Sequence, residues 1–237
     1  MLTRLLDQSF VQGMLEFVFP PLCGGCGEYC NSTTGVCEQC LARIDWYLSP
    51  FELSNDPADL EHAAVRDSSL RFPLFAGGDY TDPLKRMVIQ FKFHGVLRLS
   101  EIIADRIVEA YGEQLNKLRP FALLPIPLHP GREYARGYNQ ALVFAKSLAT
   151  RLEVNVADET LVRGKRRRPQ ASLRQAERES NIRGVFEAVE SPEDSGAARL
   201  MLVDDVVTSG STAREARRAL QEADYHVLGA ISMAHGV

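Results

Sequence analysis

The 237-residue sequence predicts an α/β fold: a parallel sheet with helices on its faces, preceded by a small cysteine-rich module. Three observations predict it. From about residue 75 onward, short continuous apolar runs alternate with stretches of helical period. Runs such as "FALLPIPL" (121–128) lack the alternating polar face of a half-exposed strand, as expected of strands covered on both sides. All five cysteines fall between residues 23 and 40, so the metal or redox chemistry of thiols is confined to one short module.

The chain opens with "MLTRLLDQSFVQGMLEFVFPPLC". Leu2, Leu5, Leu6, Phe10, Met14 and Leu15 share roughly one helical face, which predicts an amphipathic helix docked on its own domain. Asp7 and Glu16 interrupt it, so it does not read as a signal peptide. No run reaches membrane-spanning length, and the expectation is a cytoplasmic protein.

"CGGCGEYCNSTTGVCEQC" holds two Cys-x-x-Cys pairs, Cys23/Cys26 and Cys37/Cys40. Each pair turns two sulfurs to one side of a tight loop, and two pairs supply the four soft ligands of tetrahedral Zn²⁺. A disulfide cluster is disfavoured in a reducing compartment, and a redox pair lacks its usual βαβ setting. Cys30 is expected to be a bystander. A module this short needs metal binding to supply its folding free energy.

We divide the chain into residues 1–50 (helix plus zinc module), 51–74 (an acidic, irregular linker or insertion) and 75–237 (the α/β domain). Within the last, "FAGGDY" reads as a short strand. "DPLKRMVIQFKFHG" reads as a helix that Asp82 and Pro83 start and Gly95 stops. "VLRLSEIIADRIVEAYGEQL" and "YNQALVFAKSLATRLE" have helical period. "FALLPIPL", "ARLMLVDD" and "VLGAISMA" are strands, with the helix "TAREARRALQEAD" between the last two.

The site falls where that strand meets that helix. Asp204 and Asp205 end an apolar run, at the carboxyl edge where open parallel sheets bind ligands. Thr208, Ser209, Gly210, Ser211 and Thr212 then turn into the helix, gathering backbone N–H groups and hydroxyls at one point. Gly210 permits the close approach such a turn needs. No Walker lysine is present, so a nucleoside triphosphatase is disfavoured. A phosphate cradle beside two carboxylates suits a phosphorylated sugar, the acids accepting from ribose hydroxyls or holding the waters of Mg²⁺.

"MLVDDVVTSGST" resembles the 5-phosphoribosyl-1-diphosphate (PRPP) motif of type I phosphoribosyltransferases. "PPLCGGCG…CEQC", "YTDPLKRMVIQFKFHG", "LLPIPLHPGREYARGYNQA" and "RRRPQASLRQAERESNIRGVF" extend the resemblance over nearly the whole chain, to the ComF/GntX family of competence and DNA-utilisation proteins. That resemblance implies a parallel-sheet, type I phosphoribosyltransferase-like domain behind a zinc ribbon. It also implies displacement of Mg²⁺–pyrophosphate from the ribose anomeric carbon by a nitrogen nucleophile. Positioning and charge neutralisation dominate such chemistry, so no proton-transfer residue is nominated. No cysteine follows Cys40, and Arg167 stands where the family often has threonine.

By the same resemblance Arg132 and Arg136 belong to a pyrophosphate loop; alternatively Arg136 and Asn139 only hold that loop together. Residues 163–183 carry eight basic and two acidic side chains, net +6 against −4 for the whole chain. Arg166, Arg167 and Arg168 lie near its start, as part of a lid over the substrate or of a single-stranded-DNA site. Lys92 with Phe91, Phe93 and His94 offers a stacking surface for an acceptor base or, alternatively, core packing. The acceptor itself is not legible. The rival function is a non-catalytic DNA-handling protein that uses the PRPP pocket as a sensor.

Overall fold

The computed structural model describes residues 20–53, 72–164, 184–189 and 198–236. The N-terminal helix, the inner part of the acidic stretch and Arg166, Arg167 and Arg168 lie outside these residues.

A five-stranded sheet runs in the order β1-β2-β7-β6-β3, with β1 Phe51–Glu52, β2 Pro73–Ala76, β3 Ala122–Pro125, β6 Arg199–Val207 and β7 His226–His235. β3, β6, β7 and β2 are mutually parallel, and β1 pairs antiparallel on the edge. The mostly parallel α/β sheet is the expected one. The strand centres carry Leu123, Leu124, Met201, Leu202, Ala230 and Ile231, all almost fully buried. Burial on both faces explains why these segments show no period-2 pattern.

One face is covered by α2 (Leu84–His94), α3 (Arg98–Lys117) and α5 (Gln140–Leu152), which bury Met87, Phe91, Ile103, Ile107, Tyr111, Phe144 and Leu148 against Met201, Val203, Ile231 and Met233. The other is covered by α6 (Ser211–Gln221), through Ala213, Ala216 and Leu220 against Leu74, Leu124, Leu202 and Ala230. A separate two-stranded ladder, β4 (Leu161–Arg163) with β5 (Phe186–Ala188), joins this second cluster through Leu161 and Phe186. The cysteine module is no satellite: Cys23, Cys30, Val36, Cys40 and Ile44, around the short helix α1 (Glu38–Ala42), share the first cluster with α2 and α3.

Four local expectations change. The stretch 51–74, read as a linker or insertion, has both ends in the sheet, where Phe51 pairs with Leu74 and Glu52 with Pro73. β6 does not stop at Asp205 but continues to Val207, because β7 runs alongside to His235 and completes the ladder. Asp82 does not cap α2; it forms an exposed ion pair with Arg86 at 3.2 Å. The "HPGREYAR" stretch coils into α4 (Pro130–Arg136), opened by His129, whose Nδ1 accepts from the Gly131 amide at 3.1 Å.

Candidate functional site

Asp204 and Asp205 stand near the carboxyl end of β6, and the chain then bends through Thr208 and Ser209, both exposed, to Gly210. Gly210 has φ 71°, in the left-handed region that a Cβ disfavours. A Cβ there would lie 2.9 Å from Leu53 Cδ2 and 3.1 Å from Arg214 Nη1, so the position is closed to a side chain twice over. Arg214 Nη1 donates to the Ser209 carbonyl at 2.8 Å and to the Leu53 carbonyl at 3.0 Å, pinning the bend against the segment that leaves β1. Ser209 and Ser211 hydroxyls pair at 3.1 Å. No side chain caps the start of α6, so its first-turn amides and the positive end of its dipole face the bend.

The two carboxylates differ. Asp205 Oδ1 lies 2.9 Å from Lys92 Nζ, with each side chain only 13–14% exposed. Asp205 also accepts from the Val206 amide at 2.6 Å, and Asp204 accepts from the Asp205 amide at 2.8 Å. Burial, then the neighbouring Asp205 charge, pushes the Asp204 carboxyl up to about 7; Lys92 and Arg163 oppose that rise only partly. Among the described residues, two acids side by side with one ion-paired cation form a site short of positive charge. Such a site favours a divalent ion or hydroxyl donors.

Lys92 reaches this point because α2 is locked from below. Gln140 Nε2 donates to the Lys92 carbonyl at 3.4 Å, and Tyr138 hydroxyl donates to the Phe91 carbonyl. Arg136 lies over the Phe93 ring at 4.8 Å and donates to Gln140 Oε1 at 3.0 Å. The "KFHG" and "RGYNQ" motifs, remote in sequence, are thus one contact. Phe91 is fully buried and serves the core, whereas Phe93 is exposed beneath Arg136. Asn139 accepts from the Ala141 amide at 3.0 Å and donates to the Ile126 carbonyl at 3.3 Å, capping α5 and anchoring the loop after β3. Arg132 is exposed on α4. The sequence did not single out Lys92 as an ion-pair partner for Asp205; nothing in its local pattern shows a contact made 113 residues away.

Arg163, Gly164 and Gly184, which flank the undescribed part of the basic segment, are each held by hydrogen bonds. Arg163 Nη1 donates to the Pro127 carbonyl at 3.5 Å, and the Gly164 amide donates to Val185 at 2.9 Å. Gly184 is held by Glu215 of α6, whose Oε1 accepts its amide at 2.6 Å.

The group that could hold a metal lies elsewhere. Sγ atoms of Cys23, Cys26, Cys37 and Cys40 all fall within 4.8 Å of one another. Cys23–Cys37 and Cys26–Cys37 are 3.6 and 4.0 Å apart. A tetrahedron with Zn–S bonds of about 2.3 Å has edges of about 3.8 Å, so the group fits zinc. Burial works against ionising Cys23, but amide hydrogen bonds, including those from Cys37 and Gly25 at 3.3 Å, bring its thiol down to about 6. Burial and the surrounding sulfurs push Cys40 up, as expected where four thiols crowd without a cation. Gly25 is needed here, since a Cβ would fall 2.8 Å from Cys40 Sγ. Cys30 is buried outside this group. No helix among the described residues is long and apolar enough to cross a membrane.

Residues 139–235 match the phosphoribosyl transferase domain family, a span that covers α5, β6, the bend, α6 and β7. The chain is 26% identical to Competence protein F of Haemophilus influenzae over 216 residues, 89% of each chain. It is 30% identical over 198 residues to the DNA utilization protein YhgH of Escherichia coli K12, covering 78% of this chain and 84% of that one. Competence protein ComFC of Bacillus subtilis is 29% identical over 163 residues, 67% of this chain and 62% of that protein. Taken with a four-sulfur group in front of a parallel α/β sheet, these likenesses make the chain a member of the ComF family.

Proposed function

We propose that the chain binds PRPP with Mg²⁺ and transfers its phosphoribosyl group to a nitrogen acceptor. The single observation that carries this reading is the placing of an uncapped helix start and a left-handed Gly210 directly after two shielded carboxylates. The amides and hydroxyls of Thr208, Ser209, Gly210, Ser211 and Thr212 would cradle the 5-phosphate. Asp204 and Asp205 would hold the ribose hydroxyls or the waters of Mg²⁺. Arg136, and Arg132 on the exposed side of α4, would meet the pyrophosphate with planar paired donors. Mg²⁺ would neutralise charge on the departing pyrophosphate. Arg163, which acts on Asp204 electrostatically, brings one positive charge to this edge.

Relatives named for competence and DNA utilisation support a second role linked to DNA, read here as contact with single strands, with the four-cysteine module binding zinc as a structural support. Arg166, Arg167 and Arg168 would supply that contact, and reversing their charge should abolish an electrophoretic shift while leaving PRPP binding in place.

Calorimetry of the full chain with PRPP tests the primary reading. Saturable heat that needs Mg²⁺, and that Asp204→Ala/Asp205→Ala abolishes, is expected. Absence of heat, or equal heat from the double variant, would refute it.

A further inference from the structure

Arg214 lies one turn into α6 and is itself no part of the proposed cradle. Its Nη1 nonetheless bridges two carbonyls far apart in sequence, those of Ser209 at 2.8 Å and Leu53 at 3.0 Å. We infer that Arg214 is a positioning residue: by tying the Ser209 carbonyl to the edge of the sheet it fixes the peptide plane between Ser209 and Gly210, so that the Gly210 amide is presented to the 5-phosphate. The inference rests on the PRPP reading above.

Peptide geometry carries the first step. The Ser209 carbonyl and the Gly210 N–H belong to one planar trans unit, so they point in opposite directions. A donor on the carbonyl side therefore sets where the N–H goes. Without that donor the plane turns over easily. Gly210, at φ 71°, has no Cβ to resist rotation, and Thr208 and Ser209 before it are exposed. A turned plane would aim a carbonyl oxygen at the anion in place of an N–H, exchanging attraction for repulsion.

Arg214 also holds the plane on the other side of Gly210. Its own amide donates to the Gly210 carbonyl at 2.9 Å. The side chain thus fixes the peptide before Gly210, and the backbone fixes the one after it. Substituting the side chain releases only the first.

A guanidinium can hold the bend only if its second anchor is firm. The Leu53 amide donates to the Phe72 carbonyl at 3.0 Å, and the Leu53 side chain is buried in the second cluster. Glu52, just before it, pairs with Pro73 and accepts from the Phe72 amide at 2.9 Å. Leu53 Cδ2 and Arg214 Nη1 both crowd the point where Gly210 would carry a Cβ, at 2.9 and 3.1 Å. Bend, guanidinium and edge strand therefore close on one another. By this route β1, from the stretch read as linker or insertion, becomes a support of the phosphate site.

Ribose 5-phosphate carries the 5-phosphate without pyrophosphate and isolates this subsite. Calorimetry compares it with PRPP and Mg²⁺ on the full chain as wild type, Arg214→Met and Arg214→Lys, at a temperature where each is fully folded. Arg214→Met keeps the apolar stem but has no donor, and should weaken both ligands by the same factor, about tenfold or more. Arg214→Lys keeps the charge on a shorter stem and should regain only part of that loss. Full recovery by Arg214→Lys would leave charge alone as the cause and overturn the positioning role. A loss confined to PRPP would do the same, because Arg214 would then act at the pyrophosphate. If the wild type binds both ligands and Arg214→Met binds them equally well, the inference fails and the PRPP reading stands. If the wild type binds neither, the PRPP reading fails and the inference with it. Should Arg214→Met not fold, the wild type alone decides. Its Gly210 amide proton signal should move downfield in NMR spectra as ribose 5-phosphate is added, and a signal that stays in place overturns the inference.

Discussion

Lys92 Nζ and Asp205 Oδ1 meet at 2.9 Å between the last turn of α2 and the end of β6, largely out of water. This pair joins the two most distant motifs of the site. It also sets the charge that the site presents, because among the described residues no ion pair is formed by Asp204 itself.

Removing Lys92 should therefore be costly. Lys92→Met leaves Asp205 shielded and unpaired, and breaking such a pair costs of order 3 kcal/mol. Lys92→Met/Asp205→Leu should lose less than the sum of the single variants, since neither charge is then left alone. Urea midpoints of the four proteins measure this. Additive losses would show that the pair is not coupled.

The raised Asp204 carboxyl has a consequence in pH. The folded state keeps its proton up to about 7, whereas the unfolded chain loses it near the ordinary carboxyl value of 3.8. Between those values the native state binds more protons, so this group's contribution to stability falls as pH rises from about 4 to about 7 and is level above. Asp204→Asn, melted in chelator without Mg²⁺, should gain stability over the wild type near pH 8 and lose that advantage near pH 4. A constant difference across that range would contradict the assignment.

The sulfur group should be structural. Cys40→Ser removes a ligand that is also packed with α2 and α3, so zinc content should fall and the melting temperature of the whole chain with it. Cys30→Ser should keep the metal, with at most a modest loss from its buried position. Elemental analysis and thermal melts on both variants decide the ligand set.

Gly210→Ala tests the bend directly. Its φ of 71° and the 2.9 Å approach to Leu53 predict a stability loss of about 1–3 kcal/mol. PRPP affinity should drop more than the stability loss explains, because Arg214 would be pushed off Ser209. Titration at a temperature where the variant is fully folded separates the two effects.

Much of this was legible locally. The bend could be read because strand, acids, hydroxyls and helix follow one another within thirteen residues and each element is set by near neighbours. The two Cys-x-x-Cys pairs were legible for the same reason. What escaped depends on partners far along the chain. Phe51–Glu52 becomes a strand only because Pro73 and Leu74 offer it an edge, and Val206 and Val207 stay in β6 only because Ala234 and His235 run beside them. Lys92 looked like one cation in an aromatic helix until folding brought it to Asp205. Arg136 illustrates a role that sequence left open. It is held by Phe93 and Gln140, which preorganises its guanidinium rather than using it up.

The central claim is that the bend from 208 to 212 and the acids before it form one cradle for a phosphorylated sugar. A crystal structure of the full chain with PRPP and Mg²⁺ tests it most directly. The expected result is a 5-phosphate within hydrogen-bond distance of the amides at the start of α6, with ribose hydroxyls or metal-bound waters on Asp204 and Asp205. A phosphate bound elsewhere, with those amides and acids untouched, would contradict it.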